Sequence, residues 1–445
     1  MKNVVNRRFV VVLTALAVSI AVCAQDYSRL SERSIIGTAR YVGMGGAMTA
    51  IGGDPSASLA NPAGLGLYRR TEVMLTTDVM IDQTRQEYIR GFEQRVLPML
   101  PQASVVLCFP GRSIDETGVQ FNSLMFSYNR VHTFNRSFYA VQDNGDASLG
   151  SLLRTADVMW DIDFCDNYWS RSNSFALRET GYVNEYAVDW GMNISNKWFV
   201  GAGLHVQSYL FSSEADFRED FSITGNQYYN KNHASILVSG VGANFTAGLI
   251  YRPISWVRLG FSIHTPSLST VTISTSGNLE AKKDTLGFSY APDTLGRYRD
   301  YHQPLKTSIS AACQFGAYGM FALQYDYSHA NFMNDLHTLR AGLEIIPILG
   351  LYINAGYAFE STFKPDQIVP MDNSFIRQDT HFRNIQRAHY ASIAFGYRGT
   401  HMMVQAAYQY RWQRTNLYAH EWVENPYDMI SDTHRIILTI GWHRL

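Results

Sequence analysis

Five basic side chains at alternating positions of strand-like segments have the clearest binding chemistry in the sequence. They are Arg258, His264, Arg340, His389 and Arg411. If these segments are strands of a membrane-spanning barrel, as the rest of the chain predicts, we expect all five to face the lumen of the barrel. A cation that faces lipid at the middle of the membrane costs roughly 2–4 kcal/mol. In the lumen, one or more of them could pair with the carboxylate headgroup of a ligand. The alternative is a polar ladder in which each cation contacts lumen water, Asp326 or Glu344.

The sequence has no pattern that predicts catalysis or a metal site. Other histidines, at 329, 337, 381 and 401, lack metal-ligand spacing. Aspartates at 157, 161, 163 and 166 match no EF-hand, and a solvated acidic face is the better interpretation. A hydrolase would need GxSxG or a comparable constellation, and the chain has none, nor a phosphate loop or paired catalytic carboxylates. We therefore predict no enzymatic activity and no cofactor.

An apolar helix is predicted inside the long segment 142–177. Its apolar residues recur at helical spacing: Leu149, Leu152, Leu153, Ala156 and Trp160. An exposed amphipathic helix in a loop would form an outer groove for the first capture of an apolar ligand. The alternative is a lid helix that packs on neighbouring loops.

The bulk composition and the first residues limit where the protein works. A net charge of -1 with 17% charged residues argues against a nucleic-acid surface. Lys2, Arg7 and Arg8 precede an apolar run that ends near Ala24, which is typical of a secretory signal peptide over residues 1–24. Lipidation at Cys23 is the alternative. The other cysteines, Cys108, Cys165 and Cys313, form no disulfide framework and no metal spacing.

Alternation of apolar and polar residues, the pattern of half-buried strands, runs through the rest of the chain. In YAVDWGMNI, for example, Tyr186, Val188 and Trp190 alternate with small or polar residues. Fourteen segments fit this pattern: 71–90, 100–109, 119–141, 178–195, 198–212, 236–252, 256–278, 305–315, 319–329, 336–346, 350–361, 386–398, 401–414 and 432–444.

The connections between these segments alternate in length. Turns such as 195–197 and 253–255 are tight, whereas the connections 213–235, 279–304 and 362–385 are long and polar. Outer-membrane barrels have short periplasmic turns and long outer loops. Strands can cross hydrocarbon only if the sheet closes, because a free edge would leave backbone groups unpaired. The sequence thus predicts an all-β, 14-stranded antiparallel transmembrane barrel, with a secreted sandwich or propeller as the alternative.

Residues 25–70 precede the first strand, and within them the run 52–68 is too apolar for a solvated linker. A fourteen-stranded barrel has a lumen that needs filling, and this segment has the position and the glycines, such as Gly52 and Gly53, to fold inside it. Asp54 is predicted to cap a short helix that begins at Pro55 and ends before Pro62. We expect an N-terminal hatch over 25–70 and a barrel with long extracellular loops over 71–445.

The segment GTARYVGMGGAMTAIGGDPSASLANPAGLG, with Asn61, Pro62 and Ala63 near its end, resembles the hatch of the FadL-type outer-membrane transporters of long-chain fatty acids and other hydrophobic compounds. The phrases FSIHTPS, LQYDYS and LRAGLE are weaker points of similarity. The resemblance implies passive uptake: capture at an extracellular surface, entry into a lumen pocket, and exit through a gap in the wall after the hatch shifts.

The expected location is therefore the cell outer membrane, and the expected partners are hydrophobic small molecules or fatty acids, outer-membrane lipid and the barrel-assembly machinery. A monomer is expected. The alternative from another class is a surface adhesin or structural barrel that binds a partner through its loops. Apolar residues in the lumen would favour transport, whereas a lumen wholly filled with polar side chains would favour the structural role.

Overall fold

A computed structural model describes most of the chain. The described residues are 29–86, 92–111, 117–143, 168–223, 226–283, 286–290, 295–331, 333–362, 382–418 and 426–443. The predicted signal peptide and the predicted helix at 149–160 lie outside them. Among the described residues, no helix is both long enough and apolar enough to cross a membrane.

Antiparallel strands make up nearly all of the described structure. They are β1 Glu72–Gln86, β2 Phe92–Pro110, β3 Val119–Asp143, β4 Tyr168–Ile194, β5 Trp198–Ile223, β6 Asn226–Ile254, β7 Val257–His264, β8 Leu268–Lys283, β9 Leu286–Tyr290, β10 Leu295–Tyr301, β11 Leu305–Gln314, β12 Gly319–Ala330, β13 Met333–Ile345, β14 Leu351–Glu360, β15 Phe382–Arg398, β16 Met402–Tyr418 and β17 Tyr427–His443.

These strands close into a ring, because β1 pairs with β17 on one side and with β2 on the other. The ring has fourteen positions within the described residues, since β7 with β8 fills the seventh and β11 with β10 and β9 fills the eighth. The predicted fourteen-stranded antiparallel barrel is confirmed. Each β1 residue has a partner on β17, so the closing ladder has no register shift.

The strands around the seventh position differ from the sequence reading. The segment 256–278 is interrupted at Thr265–Ser267, and its neighbour is interrupted at the same height at His302–Pro304. Pro266 and Pro304 lack the N–H that a ladder needs. Hydrogen bonds from side chains replace the missing backbone hydrogen bonds: the Ser267 carbonyl accepts from His302 Nδ1 at 2.9 Å.

The upper strands are longer than expected. The connection 213–235 was predicted to be a loop, but β5 continues to Ile223 and β6 begins at Asn226, in an unbroken ladder. That prediction was wrong because polar residues pair as well as apolar ones once a neighbouring strand supplies backbone partners. Alternation of apolar and polar residues detects only the part of a strand that lies in an apolar environment, and not its polar upper end.

The outer face carries an apolar band. On β16, β17 and β1, residues directly across from one another are Val404, Ile440 and Leu75, all of which are exposed. The inward residues of the same strands are buried; Gln405 and Thr439 are polar, whereas Met403 and Ile437 are apolar. This alternation is the arrangement of a membrane-spanning barrel.

Residues 29–71, here called the N-terminal segment, pack against the inward side chains of the barrel. The segment contains helix α1 (Ala39–Gly43), helix α2 (Pro55–Ala60) and a 3-10 helix (Pro62–Leu67). Its apolar core, which includes Val42, Met44 and Met48, is buried against Ala322 and Ala394 of the wall.

Small wall residues let the backbone of the N-terminal segment approach the barrel. We call them the small-residue belt; they are Gly191, Gly201, Gly248, Ala312, Ala322, Gly342 and Gly356. Within two runs of neighbouring strands, belt residues lie directly across from each other. A Cβ atom at Gly191 would lie 2.6 Å from the Pro62 carbonyl oxygen, so the contact is between backbones. Any larger side chain would displace the segment.

Candidate functional site

Asn61 lies at the corner between α2 and the 3-10 helix of the N-terminal segment. As the sequence predicts, Asp54 caps α2: its carboxylate accepts from the Ser56 N–H at 2.9 Å. Asn61 ends α2 and caps the 3-10 helix by accepting from the Ala63 N–H at 3.1 Å. Its amide also donates to the Thr49 carbonyl at 2.8 Å. One side chain thus fixes the direction of three stretches of backbone.

A buried charge network connects α1 to the barrel. Arg40 donates to both carboxylate oxygens of Glu344, at 2.6 and 3.0 Å, and the Asn354 amide donates to the same carboxylate at 3.0 Å. Burial lowers the pKa of Arg40, but Glu344 outweighs this and the net pKa is raised, which keeps the guanidinium charged. Burial raises the pKa of Asp54, and the nearby Arg40 offsets part of that rise. The network holds the segment by paired, desolvated charge.

Four of the five predicted lumen cations do face inward. Two of them hold the backbone of the N-terminal segment: Arg258 donates to the Ile51 carbonyl at 3.0 Å, and His264 Nε2 is 3.0 Å from the Ala60 carbonyl. Arg340 pairs with Asp326 at 2.9 Å, the partner that the polar-ladder alternative names. Arg411 lies over the Tyr390 ring, 5.6 Å from its centre.

The fifth, His389, faces outward, so its predicted place in the lumen was wrong. Its Nδ1 lies 2.7 Å from the Tyr357 hydroxyl, and its ring stacks on Trp412 at 4.8 Å. Tyr357 and Trp412 both lie on the outer face. Tyr390, the residue after His389 on β15, is buried and lies on the inner face. The prediction used the free-energy cost of a lipid-facing cation at the middle of the membrane, and this cost is smaller near the edge of the apolar band.

A cavity of about 160 Å³ lies between the N-terminal segment and the wall. Its basic lining comes from Arg33, Arg130, His264, Lys306 and Arg340, and its acidic lining from Glu185. Lys306 Nζ is 3.6 Å from Asp326. The sequence reading missed Lys306, although it lies on the same inward face as Ser308 and Ser310, and alternation from those residues would have found it.

Above this cavity the lumen contains two clusters of apolar and aromatic side chains, beside buried polar groups such as the Arg136–Glu179 ion pair. We call the first group the middle cluster; it consists of Leu30, Phe134, Val183, Tyr209, Phe211, Ile236, Val238, Val271, Ile273 and Tyr301. The upper cluster consists of Phe138, Ala140, Phe175, Leu177, Ala215, Phe217, Leu417, Tyr427 and Met429. The upper cluster joins β3 directly to β17, since the rings of Phe138 and Tyr427 are 6.3 Å apart.

The inward path of β3 interrupts the wall. The β2–β3 ladder runs from Pro110 to Gln102, which pairs with Asn129, and no higher pair joins these strands among the described residues. The β3–β4 ladder has a register shift around Val131, whose carbonyl accepts from the Ser34 N–H at 3.3 Å. Above Gln102, side chains bridge β2 and β3, as where the Thr133 hydroxyl meets Met99 Sδ at 3.6 Å. We call this interruption the β2–β3 seam.

A small cavity of about 40 Å³ lies on the lumen side of the β2–β3 seam. Its lining includes Met80, Thr133 and Phe134, so it reaches from the seam to the middle cluster. Among the described residues, no group of three or more histidine, cysteine or acidic side chains could hold a metal ion. The lining of this small cavity also includes charged side chains, so the seam adjoins a charged pocket as well as the apolar middle cluster; they are Glu32, Asp82, Arg136, Glu179, Arg411 and Arg435.

No protein-family model and no curated protein sequence matches the chain. Solved structures are similar in fold. A FadL homologue from Pseudomonas aeruginosa is 12% identical, with a TM-score of 0.55 over 92% of this chain and 99% of that one. The Pseudomonas putida toluene transporter TodX is 13% identical, with a TM-score of 0.56, and the monoaromatic hydrocarbon channel CymD is 12% identical, with a TM-score of 0.57. Each of these two alignments covers 93% of this chain and 99% of the other.

Proposed function

We propose that the protein is a FadL-type channel of the outer membrane that carries hydrophobic molecules inward by diffusion. The single observation that supports this most is the β2–β3 seam, because it lies beside the apolar middle cluster while the N-terminal segment fills the lumen below. A ligand that cannot pass the filled lower lumen would leave sideways through the seam. The solved structures of similar fold include transporters of hydrophobic compounds, which supports a role in the transport of such compounds.

The proposed path has three stages. The predicted helix at 149–160 captures the ligand outside, the middle and upper clusters receive its apolar part, and the N-terminal segment acts as the hatch whose shift opens the seam. Burying each methylene group stabilises the complex by roughly 0.8 kcal/mol, so aromatic clusters suit acyl chains and aromatic hydrocarbons alike. Long-chain fatty acids are the proposed ligands, since Arg33, Lys306 and Arg340 in the adjoining cavity could accept a carboxylate.

A structural barrel or adhesin is less well supported. Its lumen would be filled with polar side chains, whereas the upper lumen here buries five phenylalanines, Phe134, Phe138, Phe175, Phe211 and Phe217. We propose that the barrel works as a monomer, with residues 1–24 removed on export.

The test is to close the seam covalently. In a background without the native cysteines (Cys108→Ala, Cys165→Ala, Cys313→Ala), Met99→Cys with Thr133→Cys places two thiols where side chains now touch. Oxidation should reduce uptake of labelled oleate by cells at least tenfold, and reduction should restore it.

A matched control places the disulfide where the ladder is intact. Ser104 and Ser127 are direct partners on β2 and β3, so Ser104→Cys with Ser127→Cys joins the same two strands below the seam. This variant should transport normally whether oxidised or reduced. Equal uptake by the oxidised seam variant and the oxidised control would show that ligands do not leave through the seam.

A further inference from the structure

The outer face of β16, β17 and β1 carries a charged row directly above its aromatic residues. Cross-strand pairing places Arg414, Ile430 and Arg85 side by side, and the next row toward the periplasm holds Trp412, Asp432 and Gln83. All of these side chains are at least partly exposed, and that of Arg85 is 57% exposed. The row therefore presents two guanidinium groups to whatever surrounds the barrel.

The height of this row matches a lipid headgroup region. Trp442 marks the lower end of the apolar band on β17, and Asp432 lies ten residues above it. Ten residues rise about 34 Å along a strand, which is about 26 Å along the membrane normal at a tilt of roughly 40°. The apolar band of such barrels is about 25 Å tall. Arg85 and Arg414 thus lie just outside the hydrocarbon.

Two histidines lie below the arginines on the outer face, each beside a tyrosine. The Tyr357 hydroxyl is 2.7 Å from His389 Nδ1, and the Tyr408 hydroxyl is 2.7 Å from His434 Nδ1. When the tyrosine donates to Nδ1, or when the ring is charged, Nε2 carries a proton and can donate to an anion.

Two acids flank the arginine row on the outer face. Asp432 lies one row toward the periplasm, accepts from the Tyr410 hydroxyl at 2.8 Å and lies 3.5 Å from Arg85, and Asp428 lies one row further from the periplasm, across from Asn416. On the outer face of β5 and β6 the cations have closer partners: Arg218 donates to both carboxylate oxygens of Asp220, at 2.8 and 3.1 Å, and Lys231 is 3.8 Å from Asp216. An anion would compete with a 3.5 Å contact at Arg85 but with two direct hydrogen bonds at Arg218.

We propose that Arg85 and Arg414, with His389, His434 and Trp412 beneath them, form a binding site for the phosphate group of an outer-leaflet lipid. Guanidinium groups bind phosphate oxygens through paired, charge-assisted hydrogen bonds. The imidazole and indole N–H groups add donors at the level where the lipid's headgroup meets its acyl chains. The site depends on the barrel spanning a membrane and does not depend on what the barrel transports.

The experiment is native mass spectrometry of the purified mature chain in detergent, with dioleoyl phosphatidic acid as the probe and dioleoyl phosphatidylcholine as the lipid control. The wild type should retain phosphatidic acid in preference to phosphatidylcholine. Arg85→Gln with Arg414→Gln should reduce bound phosphatidic acid at least fivefold. The matched control, Arg178→Gln with Arg218→Gln, removes two outward cations from β4 and β5, where Arg218 is already bonded to Asp220, and should bind as the wild type does.

Two further measurements complete the test. Asp432→Asn removes the competing carboxylate and should increase phosphatidic acid binding, which tests the site even if the double variant fails to fold. Equal losses in the two double variants, or no loss in either, would overturn the site, as would full competition by millimolar inorganic phosphate, which indicates a free-anion site. Oleate uptake by the β16–β1 variant should be normal, so the two proposals can fail separately.

Discussion

The lower and upper halves of the lumen are filled in different ways. In the lower half a separate stretch of chain packs backbone against backbone on the small-residue belt, and the buried Arg40–Glu344 pair fixes it. In the upper half a wall strand itself bends inward, and aromatic side chains meet across the lumen. Beside the N-terminal segment the β2–β3 ladder is continuous from Pro110 to Gln102, whereas above it no backbone pair joins these two strands among the described residues. The side exit that we propose therefore lies where the backbone pairing between β2 and β3 stops, above the part of the lumen that the N-terminal segment fills.

The largest effect is expected from removing the lower filling. A chain lacking residues 25–70 behind the predicted signal peptide should still fold, since the ladders run between strands and do not need the segment. Its conductance in planar bilayers should rise at least tenfold, because fourteen strands leave a lumen that side chains alone do not fill. If the folded deletion variant conducts no better than the intact protein, the upper half closes the lumen without help.

A smaller effect is expected from enlarging one belt residue. Gly356→Leu would push against Gly45 and Met44, so the segment must shift or the wall must bend; overpacking of this kind costs about 1–3 kcal/mol. We expect raised conductance and faster proteolysis within residues 29–71. Ala406→Leu, on the lipid-facing side of β16, adds the same side chain and should change neither quantity.

Breaking the buried ion pair separates packing from charge. Arg40→Gln leaves Glu344 buried without its main partner, and such losses cost about 3–5 kcal/mol. Because every 1.4 kcal/mol is a factor of ten, amide exchange over residues 39–67 should accelerate by about a hundredfold or more. Adding Glu344→Gln should recover most of the protection, and failure to recover it would mean that hydrogen-bond geometry rather than charge holds α1.

The smallest effect concerns the cap of α2. Asp54→Ala removes the acceptor for the Ser56 N–H and should cost about 1 kcal/mol, whereas Asp54→Asn keeps an acceptor. Since burial raises the pKa of Asp54 in the folded state, the folded protein binds this proton more readily than the unfolded chain. The contribution of Asp54 to stability is therefore greatest at low pH and is lost as the pH rises through the folded-state pKa. Asp54→Asn should flatten that dependence in urea unfolding between pH 4 and 7, and an unchanged slope would assign it to another group.

The sequence predicted the lower half far better than the upper half. The cap at Asp54 and the end of α2 at Asn61 follow from local preferences of aspartate, asparagine and proline, which do not depend on distant contacts. The β2–β3 seam depends on β3 reaching β17, a contact between Phe138 and Tyr427 that no local pattern encodes. The error at His389 has a related cause. Its face follows from register, because a one-residue difference moves a side chain from the lumen to the lipid.

The closing ladder between β1 and β17 also has a bearing on how the chain assembles. The Thr439 hydroxyl of β17 accepts from the Ala39 N–H and lies 2.9 Å from the Thr76 hydroxyl of β1, and Arg435 donates to the Ile35 carbonyl at 2.9 Å. The first and last strands of the ring therefore meet on a surface that the N-terminal residues help to form. In a chain synthesised from its N-terminus, this ladder has the greatest loop-closure entropy to overcome. Residues 35–39 contact the closing strand directly, so the seated segment adds stability to a ring that the β1–β17 ladder already closes.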